Sequence, residues 1–316
     1  MCRSSVTAII VNGAKHLQAL RGLLRTMRPR QWTKNLLFVF PAIIFDGQLF
    51  ELVPFLRVLA TFALLCVVSG TVYVINDLVD IESDRQHPRK KFRPLPAGEL
   101  PIRFAQVMAV LMPTVAIGLS LLLTYELTIV LLAYLGIQLL YSFRLKHVVI
   151  IDLMVITAGF VLRVMAGVVV IDVQQFSAWL YVVTGLLALF LAISKRRQEL
   201  ILLGDNATNV RQIYKDYNLP LLDEMLRIVT TSTLITYILY TIETSAPLLA
   251  RTNLALLTVP FVMYGLFRYL YLIYVRGEIS PPDEVLLKDR GLQLTILAFG
   301  GMCIVILYLA PVVLNR

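Results

Sequence analysis

A chain of 316 residues that is 58% hydrophobic and only 16% charged, with a mean hydropathy of +0.78, is excluded from the ordinary soluble classes, which carry about 25% charged residues. Its formal net charge of +9 gathers in alternate connections between apolar segments, so it requires no nucleic-acid partner. Cys2, Cys66 and Cys303 lie far apart, with neither a disulfide framework nor a zinc spacing, and His16, His87 and His147 form no ligand set with them.

In chain order, Met1 to Gly13 has too short an apolar run for a signal peptide. Ala14 to Met27 places Leu17, Leu20, Leu23, Leu24 and Met27 on one side, with Lys15, Arg21, Arg25 and Arg28 interleaved. That pattern predicts a basic amphipathic helix on an anionic leaflet, within a cytoplasmic segment 1–30. Apolar stretches near the roughly 20 residues of a bilayer span follow: Trp32–Phe50, Leu52–Ile75, Ile102–Thr124, Leu127–Phe143, Val148–Ile171, Ala178–Ser194, Met225–Glu243, Leu254–Tyr274 and Leu292–Leu314. The expected fold is therefore an all-α integral membrane protein, a single domain of about nine transmembrane helices. Loops at about 81–101, 195–224 and 276–290 are expected to form a cytoplasmic cap.

Lysines and arginines crowd the segments before span one, between two and three, and after spans four, six and eight. The alternate connections hold only Arg57, Arg251 and Arg316. The positive-inside rule then places the N-terminus and these basic loops in the cytoplasm and the C-terminus outside. The sequon Asn206-Ala207-Thr208 falls on the cytoplasmic side and is discounted. In the connection to span seven, Tyr214, Tyr217, Leu219, Leu221 and Leu222 are expected to rest on the membrane surface.

The chemistry concentrates where span two ends, at Asn76-Asp77-Leu78-Val79-Asp80-Ile81-Glu82-Ser83-Asp84. On a helix Asn76, Asp80 and Asp84 share a face, with Asp77 three residues before Asp80. Stacked like charges repel by a few tenths of a kcal/mol per pair, and a divalent cation would reverse that sign. Mg²⁺ is commonly held by one or two carboxylates plus substrate phosphates. The run Arg85-Gln86-His87-Pro88-Arg89-Lys90-Lys91-Phe92-Arg93-Pro94 could grip the rest of a phosphorylated ligand. Lys34 and Asn35 lie inside the first helical pattern with Gln31 one turn back, a polar face suited to anions as well as to snorkelling. Asp152 and Arg163 lie within span five, where insertion costs about 2.5–3.5 kcal/mol each, so both should face the bundle interior; a buried pair that only fastens helices is the plain alternative.

Asn76-Asp77-x-x-Asp80-x-x-x-Asp84 at the end of span two resembles the first aspartate-rich motif of the UbiA superfamily of intramembrane prenyltransferases. The second such motif is incomplete, since Ile156 stands four residues after Asp152. Arg28 to Asn35, Asp84-x-x-His87-Pro88 through Arg93-Pro94, Tyr141-Ser142-x-x-Leu145-Lys146, Ser194-Lys195-Arg196 and Asp152 with Ala158 to Arg163 resemble one branch, the decaprenyl-phosphate phosphoribosyltransferases. That resemblance implies a Mg²⁺-dependent pentosyl transfer from 5-phosphoribosyl 1-diphosphate to a polyprenyl phosphate, for bacterial cell-wall arabinan precursors. It implies Asn76, Asp77, Asp80 and Asp84 at the metal and Asp80, Asp84 and Asp152 in catalysis. Gln31, Lys34, Asn35, Arg85, Lys90, Lys91, Arg93, Tyr141, Lys146, Ser194, Lys195 and Arg290 would bind substrate. An inner-membrane location is implied, and homo-oligomerisation stays open. Two other readings stay open as well: transfer of a prenyl group to an aromatic acceptor, and a non-enzymatic transporter or lipid-binding bundle.

Overall fold

The structure, a computed structural model, describes residues 17–86, 90–171, 173, 177–204, 212–243 and 254–309, and of Ser83 and Asp283 the backbone alone. The readings made above for Met1 to His16, His87 to Arg89, the 206–208 sequon, Arg211, Arg251 and the chain beyond Leu309 lie outside the described residues. Among those described, the regular elements are all helical. They are α1 (17–26), α2 (Trp32–Val39), α3 (Pro41–Phe45), α4 (Leu52–Val79), α5 (Ile81–Gln86), α6 (Ile102–Ser120), α7 (Tyr125–Phe143), α8 (Ile151–Val168), α9 (Ala178–Leu203), α10 (Leu219–Glu243), α11 (Val259–Tyr274), α12 (Pro282–Lys288) and α13 (Arg290–Ile304).

Eight of the described helices are long and apolar enough to cross a membrane. The ninth expected span, Trp32–Phe50, is instead broken into α2 and α3 at Phe40-Pro41. Proline lacks the N–H that would continue the ladder and starts a helix well, so Pro41 opens α3 at its first position. Two spans overrun their expected ends. α4 continues past Ile75 to Val79, and α9 continues past Ser194 to Leu203. In both cases the polar residues after the apolar run stay helical, because buried partners receive them at the polar end of the bundle.

Two apolar cores hold the helices. One joins α8, α9, α10 and α11 through Leu153, Phe190, Ile193, Leu226 and Leu266; the other joins α2, α3, α4, α7 and α8 through Val39, Ile43, Leu65, Leu131 and Ala166. Close approach in the second core depends on Gly167, where a Cβ would stand 2.1 Å from the Val39 carbonyl oxygen.

At the polar end, α1 turns Leu23 and Met27 inward against Val74, Leu95 and Leu100. Leu17, Leu20 and Leu24 stay half-exposed on its other side. Expectation and structure differ for the segment before α10. Tyr214, Tyr217 and Leu222 are buried in the first core and do not lie on the surface, whereas Leu219 and Leu221 are exposed. The tyrosines turn inward because their hydroxyls find carboxylate partners there, Tyr217 the buried Asp152 and Tyr214 the partly exposed Glu199. Val285 of α12 joins the same core, so the 276–290 connection is seated against α9 and α13.

Candidate active site

α4 ends one residue after a full turn of acid and amide. Asp77 falls in its last turn, near the negative end of the helix dipole, a position that disfavours a carboxylate. Asp80 is the C-cap, and its backbone still bonds to Asn76 O at 3.0 Å; Asp84 N bonds to Asp80 O at 2.8 Å. The helical register therefore carries through the bend into α5, where Glu82 and Asp84 occupy the favoured first turn. Asp77 and Asp84, seven residues apart, are both buried (2% and 1% exposed), whereas Asn76 and Asp80 are only half-buried.

Three cations meet this pair. Arg93 Nη1 donates to Asp77 Oδ1 at 3.2 Å and to Asp84 Oδ2 at 2.6 Å, bridging the two carboxylates. Arg28 Nη2 donates to Asp77 Oδ1 at 2.8 Å, with its guanidinium 4.5 Å above the Tyr73 ring. Lys90 Nζ lies 3.6 Å from Asp84 Oδ1, an oxygen that is buried without a hydrogen bond. Arg28 adopts a left-handed backbone (φ 54°) just ahead of α2. Among the described residues no three His, Cys, Asp or Glu side chains gather into a metal nest. Two buried carboxylates sharing one cation, with one oxygen lacking a hydrogen bond, are nonetheless a donor set that suits a divalent ion completed by phosphate and water.

The second acidic centre is closed. Asp152, 0% exposed, accepts from Arg196 Nε at 2.9 Å and from the Tyr217 hydroxyl at 2.7 Å. Tyr217 in turn accepts from Ile150 N–H at 2.8 Å, holding a strained left-handed Ile150 (φ 67°) at the start of α8. Burial and the neighbouring carboxylate push the Tyr217 hydroxyl up, so it remains a donor. Arg196 also reaches Glu199 and the Tyr141 hydroxyl. Asp152 thus pairs with Arg196, and Arg163 has other partners, Asn35 and the Tyr134 hydroxyl.

The remaining expected ligands are distributed around these centres. Asn35 is buried in α2 beside Ser69 and Cys66, Ser194 is buried with its hydroxyl on Phe190 O, and Gln31 and Lys34 are partly exposed at the entrance to α2. Arg85 pairs with Glu82 on the surface, Lys91 lies over Phe92, and Lys195 stands 3.9 Å from Glu199. Lys146 sits in a 3-10 turn that touches the one at Gln212–Lys215. Arg290 is exposed at the first position of α13. Arg28, Arg196 and Tyr217 are contacts the sequence reading left out of the site. The basic run 195–197 pointed toward Arg196, but nothing local marks Tyr217.

The fold is that of a multi-pass membrane protein whose described elements are all helical, with both acidic centres at its polar end. The chain belongs to the UbiA prenyltransferase family, whose pattern it matches over residues 36–282. It is 32% identical over 294 residues to the decaprenyl-phosphate phosphoribosyltransferase of Corynebacterium glutamicum, covering 92% of this chain and 88% of that one. The enzyme of the same name from Mycolicibacterium smegmatis is 32% identical over 288 residues, covering 89% of this chain and 90% of that one. Among solved structures, a UbiA homolog from Archaeoglobus fulgidus bound to GPP and Mg²⁺ superposes with a TM-score of 0.66, covering 93% of this chain and all of that one. At 17% identity that likeness carries the fold alone.

Proposed function

We propose that this protein moves the 5-phosphoribosyl group of 5-phosphoribosyl 1-diphosphate to a polyprenyl phosphate, releasing pyrophosphate. The new bond joins the anomeric carbon to a lipid phosphate oxygen, and the old carbon–oxygen bond leaves with its electrons on the diphosphate. A phosphate anion is already a nucleophile, so no general base is required, and the anomeric carbon passes through an oxocarbenium-like state as in glycoside chemistry. The observation that carries the reading is the pair of buried carboxylates, Asp77 and Asp84, attended by Arg28, Lys90 and Arg93. A donor with a diphosphate and a separate 5-phosphate needs more cations than a prenyl diphosphate does, and these three stand next to the acids. The named relatives support the same donor and acceptor.

In this reading Asn76, Asp77, Asp80 and Asp84 would hold Mg²⁺, which when bound neutralises the leaving diphosphate. Arg28, Lys90 and Arg93 bind phosphate oxygens once the carboxylates have another cation, assisted by Lys91 and by Lys34, Lys146 and Lys195 at the same end of the bundle. The loops at 81–101, 195–224 and 276–290 form a cap over the site, and the whole chain acts as one domain. The cap and the N-terminus face the cytoplasm of a bacterial plasma membrane, with the C-terminus outside and the product feeding arabinan synthesis. The lipid enters sideways between helices, its tail in the bilayer.

Membranes containing the protein, supplied separately with labelled phosphoribosyl diphosphate and labelled prenyl diphosphate, test this. Label from the first should enter an organic-extractable phospholipid, and chelation of divalent cations should stop it. Incorporation from the prenyl diphosphate alone, into an aromatic acceptor, would replace this reading.

A further inference from the structure

The mechanism above leaves unused a partly buried cation deep in a span. Arg163 lies eleven residues into α8 from Asp152, about 16 Å of helical rise. A charge at such depth is expensive and marks a functional position unless something neutralises it. Its hydrogen bonds all go to uncharged acceptors: Nε to Asn35 Oδ1 at 2.7 Å, Nη1 to Gly159 O at 2.7 Å and Nη2 to the Tyr134 hydroxyl at 2.6 Å. The guanidinium also lies 4.8 Å from the Tyr134 ring centre and 5.2 Å from that of Phe160. No carboxylate among the described residues pairs with it. Three of its five N–H groups are thereby used, which leaves one on each terminal nitrogen to donate to a further acceptor such as a phosphate oxygen.

The surroundings fix the guanidinium in place. Asn35 is itself held by Ser69 Oγ at 3.1 Å and Cys66 Sγ at 3.4 Å on α4. Gly159 lets the Gln138 amide and the guanidinium close on α8, since a Cβ there would stand 2.7 Å from Gln138 Nε2 and 3.6 Å from Arg163 Nη1. Arg163 is only partly buried, so it borders open space. Ser69 is eight residues from Asp77 on α4, about 12 Å along the axis. A diphosphate on the acids, the carbon it leaves and an attacking phosphate together span that depth.

We propose that Arg163, seated by Asn35, Tyr134 and Gly159, is the subsite that receives the phosphate of the lipid acceptor, an isoprenyl monophosphate entering the bundle from the bilayer. This rests on the transfer reaction proposed above. A donor 5-phosphate shares the same chemistry, but it would arrive from the aqueous end, whereas Phe38, Phe160 and Leu162 line this level with apolar surface.

The deciding variant is Asn35→Asp. It keeps an oxygen for Arg163 Nε, preserving the tie between α2 and α8, but places a counter-charge on the guanidinium. Purified full-length protein is titrated with farnesyl phosphate, farnesol, ribose 5-phosphate and phosphoribosyl diphosphate. The wild type should bind farnesyl phosphate and not farnesol. Asn35→Asp should weaken farnesyl phosphate binding and raise the acceptor KM by about tenfold or more, with donor affinity unchanged. Arg163→Lys, which keeps the charge and loses the guanidinium, should fall between the two. Unchanged farnesyl phosphate binding in folded Asn35→Asp would refute the subsite, and so would a loss confined to ribose 5-phosphate and the donor. If Asn35→Asp does not fold, an unchanged acceptor KM in Arg163→Lys refutes it instead. Transfer from prenyl diphosphate in the membrane assay would sink the donor reading by itself, so the two failures are distinct.

Discussion

Replacing Arg93 by methionine removes a side chain that touches both buried carboxylates of the acidic stretch. Breaking a fully buried ion pair from one side costs about 3–5 kcal/mol. Arg93 is 30% exposed, Arg28 still holds Asp77 at 2.8 Å and Lys90 stands 3.6 Å from Asp84, so the expected loss is about 1–3 kcal/mol. For a chain of this size that is a fall of roughly 1.5–4.5 °C in Tm, read in detergent micelles free of divalent ions. Mg²⁺ then becomes informative. A cation held only by the folded state stabilises by about 2.7 kcal/mol at a hundredfold excess over its Kd, enough to restore most of the deficit. Because Arg93 no longer competes for the same oxygens, the variant's Mg²⁺ titration should also shift to lower concentration than the wild type's. A variant that melts with the wild type in the absence of divalent ions, or that is not rescued by Mg²⁺, would refute the idea that these acids require a shared cation.

Three further outcomes follow from the same contacts. Tyr217→Phe removes the hydroxyl between Ile150 N–H and Asp152, leaving a buried donor and acceptor unmatched at a cost of about 1–3 kcal/mol; a Tm within a degree of wild type would contradict it. Gly167→Ala forces a Cβ onto the Val39 carbonyl and should cost about 1–3 kcal/mol, whereas Gly118→Ala, with open space around it, should not destabilise; thermal melts of the two check the contrast. The Arg268 guanidinium beside Asp289 holds that carboxyl below the usual carboxylate range. A depressed carboxyl contributes stability above its ordinary value near pH 4 and loses it as pH falls through the lower folded-state value. Melts between pH 6 and pH 3 should therefore show an acid limb that Asp289→Asn flattens, and equal slopes in the two proteins would refute the assignment.

Hydropathy alone made the bundle legible, because spans of valine, leucine and isoleucine declare themselves by length. It missed the break at Phe40-Pro41, since composition cannot distinguish one long helix from two short ones packed under their neighbours. It also ended α4 and α9 too early. Apolar content falls at Asn76 and Ser194, but the helices continue because Arg28 and Arg93 receive Asp77, and Asp152 and Glu199 receive Arg196. Apart from Glu199, three residues on from Arg196, these partners come from segments 16 to 49 residues away, and local pattern carries no trace of them. The carboxylates at Asp77 and Asp84 could be read from their spacing. That Asp152 would choose Arg196, and leave Arg163 to an asparagine and a tyrosine, could not.

The two acidic centres are built for different work. Asp152 has both oxygens engaged, no solvent access, and partners that are themselves tied down by Glu199, Tyr141 and Ile150. Exchanging any of these for a ligand would strand a buried charge, so Asp152 is better suited to positioning α9 and Arg196 than to touching a reacting atom. Asp77 and Asp84 are buried too, but the cations on Asp84 are 30% and 44% exposed and come from the connection that follows α5. Those cations can leave the acids for phosphate oxygens without opening the core. Of the two centres, only this one can trade protein partners for a metal and a ligand at low cost, and it is here that turnover should be most sensitive to conservative change.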